Sequence, residues 1–513
     1  MRLAALAASL LLTAATPAFA AWSEARTKHF IIYSEQRPAD LKAYAERLER
    51  FDAAVRAIRR IDDPPLTDGG KVTIYVLDSV KDVQRLASGG RTSGGDFGIL
   101  GFYIGRAEGS VAFFSSKGFP GRETIKPEHV FQHEYMHHLM LSEQSTPLAP
   151  WLTEGGAEFF GTAEVARDGT VVIGNPPQAR GNAVLSDDGF NVEQLVGSKL
   201  AKSAEERESV YGKGWVLSHF FAFNTARKGQ LERYLNMMGK GSPPLEAARA
   251  SFGDLKKLDA EIDRYARGRF QALSISPGPA PVVTVRTLTP GQSAIMETRI
   301  QSERGVNKSS APGIAAAARR HAAAHPNDPF IQGVLAEAEF DVKDYAATIA
   351  AADRGLAVDP NNVQALVYRG RAMLEQAKAE PAKANWTEIR RWFGRANRAD
   401  VENGEPLWLY YQTFAAAGQA PTKQAVEGLL YAQALVPQDS SLRGEAVRQL
   451  LRDNKPELAE PMFVPLAFNP HLTLALQPIM SSILERIRAR DAKGALAIMD
   501  AEEAKAKKRA EGA

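Results

Sequence analysis

Residues His133-Glu134-Tyr135-Met136-His137 form the pattern H-E-x-x-H. On a helix, four residues advance slightly more than one turn, so both imidazoles emerge from one face and can converge on a single cation. Glu134 sits beside the first imidazole, where its carboxylate can reach a water held by that cation and take its proton. A metal that works on water needs three protein ligands and one open position. The segment Trp151-Leu152-Thr153-Glu154-Gly155-Gly156-Ala157-Glu158 offers the third. Sixteen residues separate His137 from Glu154. That is enough for one helix to end, a proline loop to turn, and a second helix to pack back antiparallel. Glu154 then meets His133 and His137 at a Zn2+ ion. Glu158, one turn on, is placed to accept a hydrogen bond from a ligand histidine. His129 lies a turn before His133 but cannot readily join both on one ion, and an exposed first turn is expected for it. His138 points about 100° away from His137, and His219 lies on a later helix; both are expected to pack.

The elements that must carry these groups are read from periodicity. Phe30–Tyr33 and Val72–Leu77 read as strands, with a helix from Ala39 to Ile61 between them and a short one after them to about Ala87. Gly94-Gly95 punctuates, and Phe97–Ile104 and Ser110–Phe114 read as two more strands. Pro127 opens a helix to about Leu141, Pro147 and Pro150 enforce a loop, and a second helix runs from Trp151 to about Ala163. Arg167–Thr170 reads as a hairpin turn, and Glu205–Phe270 as helical. Ser276-Pro277-Gly278-Pro279-Ala280-Pro281 reads as a linker. Beyond residue 311 the chain is Ala-rich amphipathic helix. Pro326 and Pro360 stand 34 residues apart, with Leu335, Ala336, Gly355 and Leu356 where a tetratricopeptide repeat places its leucine and small residues. Pro437 and Pro470 echo this at a spacing of 33, while residues 375–405 break the register.

Composition narrows the setting. With 513 residues the chain exceeds one ordinary domain, and 44% hydrophobic with 24% charged residues is globular composition. A net charge of +3, spread along the chain, predicts no nucleic-acid partner. Arg2, the apolar run Leu3–Leu12, Pro17 and Ala18-Phe19-Ala20 read as a secretory leader cleaved after Ala20, which places the protein in a bacterial periplasm or outside the cell. No later stretch reaches the ~20 apolar residues of a spanning helix. The absence of cysteine excludes disulfides, thiol catalysis and thiolate metal sites.

H-E-x-x-H followed by W-L-x-E-G-x-A-E resembles the gluzincin superfamily, which includes thermolysin and the aminopeptidase N type. The resemblance implies Glu154 as the third zinc ligand and Glu158 as support for the first histidine. Tyr211-Gly212-Lys213-Gly214-Trp215 is similar to the Y-x-K-G segment of aminopeptidase N relatives. It implies that Tyr211 binds the tetrahedral intermediate. The resemblance spans about residues 25–270 and rests on these three segments. The G-x-M-E-N segment of aminopeptidase N relatives is absent, which favours an endopeptidase. By the same resemblance, Gly98–Ile104 or Ser110–Phe114 is expected to be the sheet edge that holds an extended peptide.

The expectation is an α+β gluzincin-like metallopeptidase domain (mixed sheet plus active-site helices) followed by an all-α, tetratricopeptide-like repeat domain. The boundaries are 1–20 leader, 21–272 peptidase domain, 273–310 linker, 311–495 repeats and 496–513 charged tail. The expected activity is peptide hydrolysis with Zn2+ held by His133, His137 and Glu154, Glu134 as general base, and Tyr211 on the oxyanion. Peptides or proteins are the substrates, and the repeats bind client or partner proteins. The competing reading is an inactive peptidase fold serving as a periplasmic scaffold or chaperone-like binder. Zinc proteases that pair H-E-x-x-H with repeats but take the third ligand from a much later segment fit less well, because Glu154 is so near.

Overall fold

In the computed structural model, which describes residues 21–89, 99–118, 126–143, 148–185, 191–197, 203–469 and 471–511, strand residues alternate between two apolar environments. The strands are β1 (Ser23–Arg26), β2 (Phe30–Ser34), β3 (Val72–Leu77), β4 (Gly101–Ile104), β5 (Val111–Ser115), β6 (Glu164–Val165), β7 (Val171–Ile173), β8 (Leu273–Ile275) and β9 (Thr284–Thr287). Six form one mixed sheet in the order β4-β5-β3-β2-β1-β9. The central β2, β3 and β5 are parallel, and β4, β1 and β9 pair antiparallel to their neighbours. Phe30, Ile32, Ile74 and Phe114 face one side, against α1 (Pro38–Arg59) and α3 (Pro127–Glu143). Ile31, Tyr33, Tyr75 and Phe113 face the other, against α2 (Val80–Ala87) and α11 (Pro290–Arg304), through Val83, Met296 and Ile300. Burial on both faces explains strands that are apolar throughout.

The fold corrects one expectation, the linker, and sharpens two others. The segment 273–310, read as a linker, is folded into the N-terminal region. β8 joins the small sheet β6-β7-β8, β9 pairs with β1, and α11 covers the main sheet. The exposed Pro/Gly run between β8 and β9, and residues 305–310 after α11, have the irregular backbone of connections. Of the two candidate edge strands, β5 is interior, bonded to β3 and β4, and β4 is the edge. The charged tail is helical: the last helix runs from Ala492 to Glu511, with Ala495 and Met499 buried. The proposed leader, Gly94-Gly95, Phe97, Gly98, Pro147 and Pro470 lie outside the described residues.

The metal-ligand candidates sit on α3 and α4 (Pro150–Gly161), next to α5 (Gly181–Leu185), α6 (Val192–Val196) and α7 (Ala204–Phe223). The stretch 205–270 is broken into α7, α8 (Gln230–Gly239), α9 (Pro244–Phe252) and α10 (Leu255–Ala266). The breaks fall at Gly229, Pro243 and Asp254, the last capping α10 by accepting from Lys256 N at 2.9 Å.

Eleven helices between Ala311 and Glu511 come after α11, each packed on its neighbours in sequence. The recurring prolines have a local cause. Pro326, Pro360 and Pro437 each stand in a turn that follows one helix and leads to the cap of the next. Asp328, Asn362 and Asp439, two residues after Pro326, Pro360 and Pro437, accept the first free backbone N–H groups.

This helical region docks on the N-terminal one. Asp400 accepts from Gly69 N at 2.7 Å and from Thr67 Oγ1 at 2.5 Å. Asp439 accepts from Ala107 N at 2.9 Å. Gln438 Nε2 donates to His138 O at 3.1 Å and to Ser142 Oγ at 2.8 Å, at the C-terminal end of α3.

Candidate metal centre

The orientation of α3 is set by the residues between its histidines. Tyr135 is buried on the opposite face, stacked on Phe131 at 5.6 Å and edge-on to Phe30 at 5.0 Å. Its hydroxyl donates to Asp52 Oδ1 of α1 at 2.7 Å. With that face anchored, His133 and His137 turn toward α4. Gln132 is also buried, and its side-chain amide, oriented with the nitrogen as donor, reaches the Gly161 and Ala163 carbonyls at 2.8 and 3.1 Å. It ties α3 to the end of α4.

The position of α4 depends on two glycines facing each other. A Cβ at Gly155 would lie 2.1 Å from the carbonyl carbon of Gly214 on α7, and one at Gly214 would lie 2.7 Å from Trp151 O. The backbones of α4 and α7 touch only because both side chains are absent. Glu154, next to Gly155, is thereby held toward α3. Gly155 and Gly214 thus have a packing role distinct from the chemical roles of Glu154 and Tyr211.

The three candidate ligands converge. His133 Nε2 and His137 Nε2 are 3.1 Å apart, and Glu154 Oε2 lies 3.4 Å from the first and 3.5 Å from the second. All three donor atoms fall within 4.8 Å of one another. Both Glu154 oxygens are buried and have no hydrogen bond of good geometry among the described residues, although His133, His137 and the Tyr211 hydroxyl act on the carboxylate from nearby. A buried carboxylate without well-made hydrogen bonds is costly. Two imidazole nitrogens at that distance cannot both be neutral acceptors without repulsion. A divalent cation resolves both problems, and two nitrogens with one carboxylate oxygen suit zinc with a position left open. The electrostatics agree. Burial disfavours a charged His133, but Glu154, Glu158 and Glu134 outweigh it and raise its pKa to about 9. Burial likewise opposes ionisation of Glu154, yet His137 and His133 hold it well below the usual carboxylate range. The site therefore has a field that favours positive charge.

Glu158 is buried on α4, with Oε1 3.8 Å from His133 Nδ1, an ion-pair separation. The same oxygen accepts from Arg180 Nε at 3.1 Å, a partner that no motif or spacing announces. Arg180 also donates to Glu208 at 2.6 Å and lies over the Tyr211 ring, 4.7 Å from its centroid. Tyr211 stacks on His133 with centroids 5.6 Å apart. Its hydroxyl is shifted upward in pKa by burial and by the Glu154 and Glu134 charges, so it stays a proton donor. Glu134 is half-buried on α3, and its charge acts on both His133 and Tyr211.

His129, His138 and His219 have partners away from the centre. His129 Nε2 lies 3.1 Å from Glu164 Oε1. His138 Nδ1 is 2.7 Å from the Tyr103 hydroxyl, and burial, then Arg56 and His29, push its pKa down to about 3. His219 is buried between Tyr265 Oη and Gln271 O, each at 2.8 Å. A second cluster, His29 with Asp52 and Asp63, is already neutralised: Arg56 Nε bonds Asp52 at 2.8 Å, and Glu49 and Lys28 complete the network. A second residue near the metal centre, like Arg180, is announced by no motif. His471, between two C-terminal helices, has Nε2 3.6 Å from Glu154 Oε1.

No protein-family profile matches the sequence, and no curated protein matches it. A crystal structure of yeast Tom70 is similar over 61% of this chain and 69% of its own, at 11% identity and a TM-score of 0.25. A superposition that loose assigns no fold.

Proposed function

We propose that the protein is an exported zinc-dependent hydrolase of peptide bonds. The observation that carries the reading is the convergence of His133 Nε2, His137 Nε2 and the buried Glu154 carboxylate, with Glu134 beside them on the same helix. A zinc ion held there supplies Lewis acidity that acidifies water and polarises a carbonyl. Glu134 takes the proton from the attacking water and returns it to the leaving amine. Tyr211 donates to the developing oxyanion, a contact worth ~3 kcal/mol. Glu158 fixes the His133 ring, with Arg180 holding both Glu158 and Tyr211 in place. β4 is the sheet edge and reaches α3 through Tyr103 and His138, so an extended peptide pairing along it would run toward the site.

The stacked C-terminal helices form the second part of the reading, a surface for client or partner proteins. No helix among the described residues is long and apolar enough to cross a membrane. Export rests on the leader motif at residues 1–20.

The test is a peptide-library digest with wild type, Glu134→Gln and Glu154→Ala, with and without a chelator. Wild type should cleave and stop on chelation. Glu134→Gln should keep its zinc and lose at least ~100-fold in turnover, and Glu154→Ala should lose the metal. Glu134→Gln cleaving at the wild-type rate would refute the assignment. A chain that holds zinc but cleaves nothing points to the binding scaffold instead.

A further inference from the structure

Glu154 faces His133 and His137 through Oε2. Its other oxygen, Oε1, is buried too and has no hydrogen bond of good geometry among the described residues. A carboxylate that binds a cation through one oxygen is held in place by polar groups at the other, and such partners are worth roughly 10–100-fold in metal affinity.

One group facing Oε1 comes from the far end of the chain. His471 Nε2 stands 3.6 Å from it, and the His471 and His137 ring centroids are 6.3 Å apart, with the rings at 80°. This is an ion-pair separation, longer than a hydrogen bond. The His471 side chain is 67% exposed, so burial of apolar surface does not explain where it sits. Its backbone is fixed instead. Asn469 Oδ1 accepts from His471 N at 2.8 Å, and Phe468 just before it packs against the N-terminal core.

The helices around this segment are fastened to α3. Arg443 is 3% exposed and has no carboxylate partner among the described residues, and burial lowers its pKa to about 10. Its guanidinium donates to Leu141 O of α3 at 3.5 Å, to Pro437 O at 2.5 Å and to Met462 O at 3.3 Å. Met462 lies on the helix Pro456–Ala467, which leads directly into the His471 segment. A cation at the carbonyl end of α3 also complements that helix's dipole. The latch therefore joins the helix that carries both ligand histidines to the segment that carries His471.

We propose that His471 is a positioning residue for Glu154, so that the C-terminal helices complete the metal centre as well as offering a binding surface. The inference rests on the zinc reading above. It predicts that metal affinity is built partly by a residue of the helical region, and that this region cannot leave its dock without loosening the metal.

The test uses the full chain as wild type, His471→Ala and His471→Gln. Zinc affinity is read by competition with a chromogenic chelator, and coordination by the visible spectrum of the Co2+-loaded protein. His471→Ala should weaken zinc by ~10–100-fold and shift the Co2+ spectrum, whereas His471→Gln, which keeps an N–H near the Nε2 position, should stay within ~3-fold of wild type. Metal-free melting should be unchanged in both, because an exposed side chain contributes within about 0.5 kcal/mol. Wild-type affinity and spectrum in His471→Ala overturn the proposal. So does a loss that His471→Gln fails to rescue and that tracks a fall in metal-free melting. A wild-type chain that binds no zinc or Co2+ refutes the zinc reading itself, an outcome distinct from equal binding by all three proteins.

Discussion

Gly155 and Gly156 are adjacent on α4, and alanine at each should act with opposite sign. A Cβ at Gly155 would lie 2.1, 2.2 and 2.7 Å from the C, O and Cα of Gly214, all backbone atoms of α7. No rotamer change can relieve this, so α4 and α7 must separate by about 1 Å to reach ordinary contact. Forced overpacking costs about 1–3 kcal/mol, and a clash with a second helix backbone belongs at the top of that range. A loss of about 3 kcal/mol in a folding unit of this size lowers the melting temperature by roughly 6–12 °C. At Gly156 the nearest atom to a new Cβ is Met140 Sδ at 3.9 Å, an ordinary contact. There alanine gains helix propensity and stabilises by about 0.4–1 kcal/mol. The separation in Gly155→Ala also displaces Glu154, and metal–ligand distances tolerate only about ±0.2 Å, so zinc binding should weaken there and not in Gly156→Ala. Thermal unfolding of the metal-free proteins monitored by circular dichroism, with zinc titration of each, decides the matter. If the two variants melt within a degree of each other, glycine–glycine contact is not what positions Glu154.

The charge networks make further outcomes predictable. His29 is buried, and although burial opposes its protonation, Glu49 and Asp52 outweigh both that and Arg56, so its pKa is raised. Its contribution to stability is therefore complete below the unfolded value of about 6.5 and fades as pH rises through the higher folded value. In His29→Gln, the urea midpoint should lose that alkaline decline. Glu24 is the reverse case: burial raises its pKa, but Arg286, Arg26 and Tyr33 bring it down from 4.5 to about 2. Its stabilisation holds above 4.5 and drains away as pH falls toward 2. Glu24→Gln should flatten this acid limb, and a limb unchanged in that variant would show that the β1–β9 ion network contributes nothing. Arg180→Ala should cost about 1–3 kcal/mol by leaving Glu158 buried with only His133. Arg180→Lys should recover little of it, since the flat guanidinium is what stacks on Tyr211; full recovery by lysine in thermal unfolding would contradict that role.

Local signals carried most of the elements around the centre. The helix expected from Pro127 to about Leu141 is Pro127–Glu143, and the one expected from Trp151 is Pro150–Gly161. Proline at the start of each and helical periodicity are both written in neighbouring residues. The strands Val72–Leu77 and Phe30–Ser34 were legible because apolar runs of that length have few other uses. β1, with sequence S-E-A-R, was not legible, because it is held by backbone pairing and by Glu24 meeting Arg286 some 260 residues away. The same cause hid β9 and α11: a Pro/Gly run reads as a linker, and only long-range pairing reveals that the chain beyond it returns to the sheet. At the centre, the i, i+4 histidines and the Glu154 spacing were visible as a helix pair. Arg180 ends a single 3-10 turn, Gln178–Arg180, and His471 is roughly 330 residues beyond His137. No periodicity connects either to the site.

Whether His133, His137 and Glu154 hold a metal decides both the hydrolase reading and the role of His471. Metal content of the purified, dialysed full chain, measured by plasma emission spectrometry beside Glu154→Ala, tests this directly. The expected result is close to one zinc per wild-type chain and almost none in the variant. A wild-type chain that retains no metal after zinc loading, or a variant that retains as much as wild type, would contradict it.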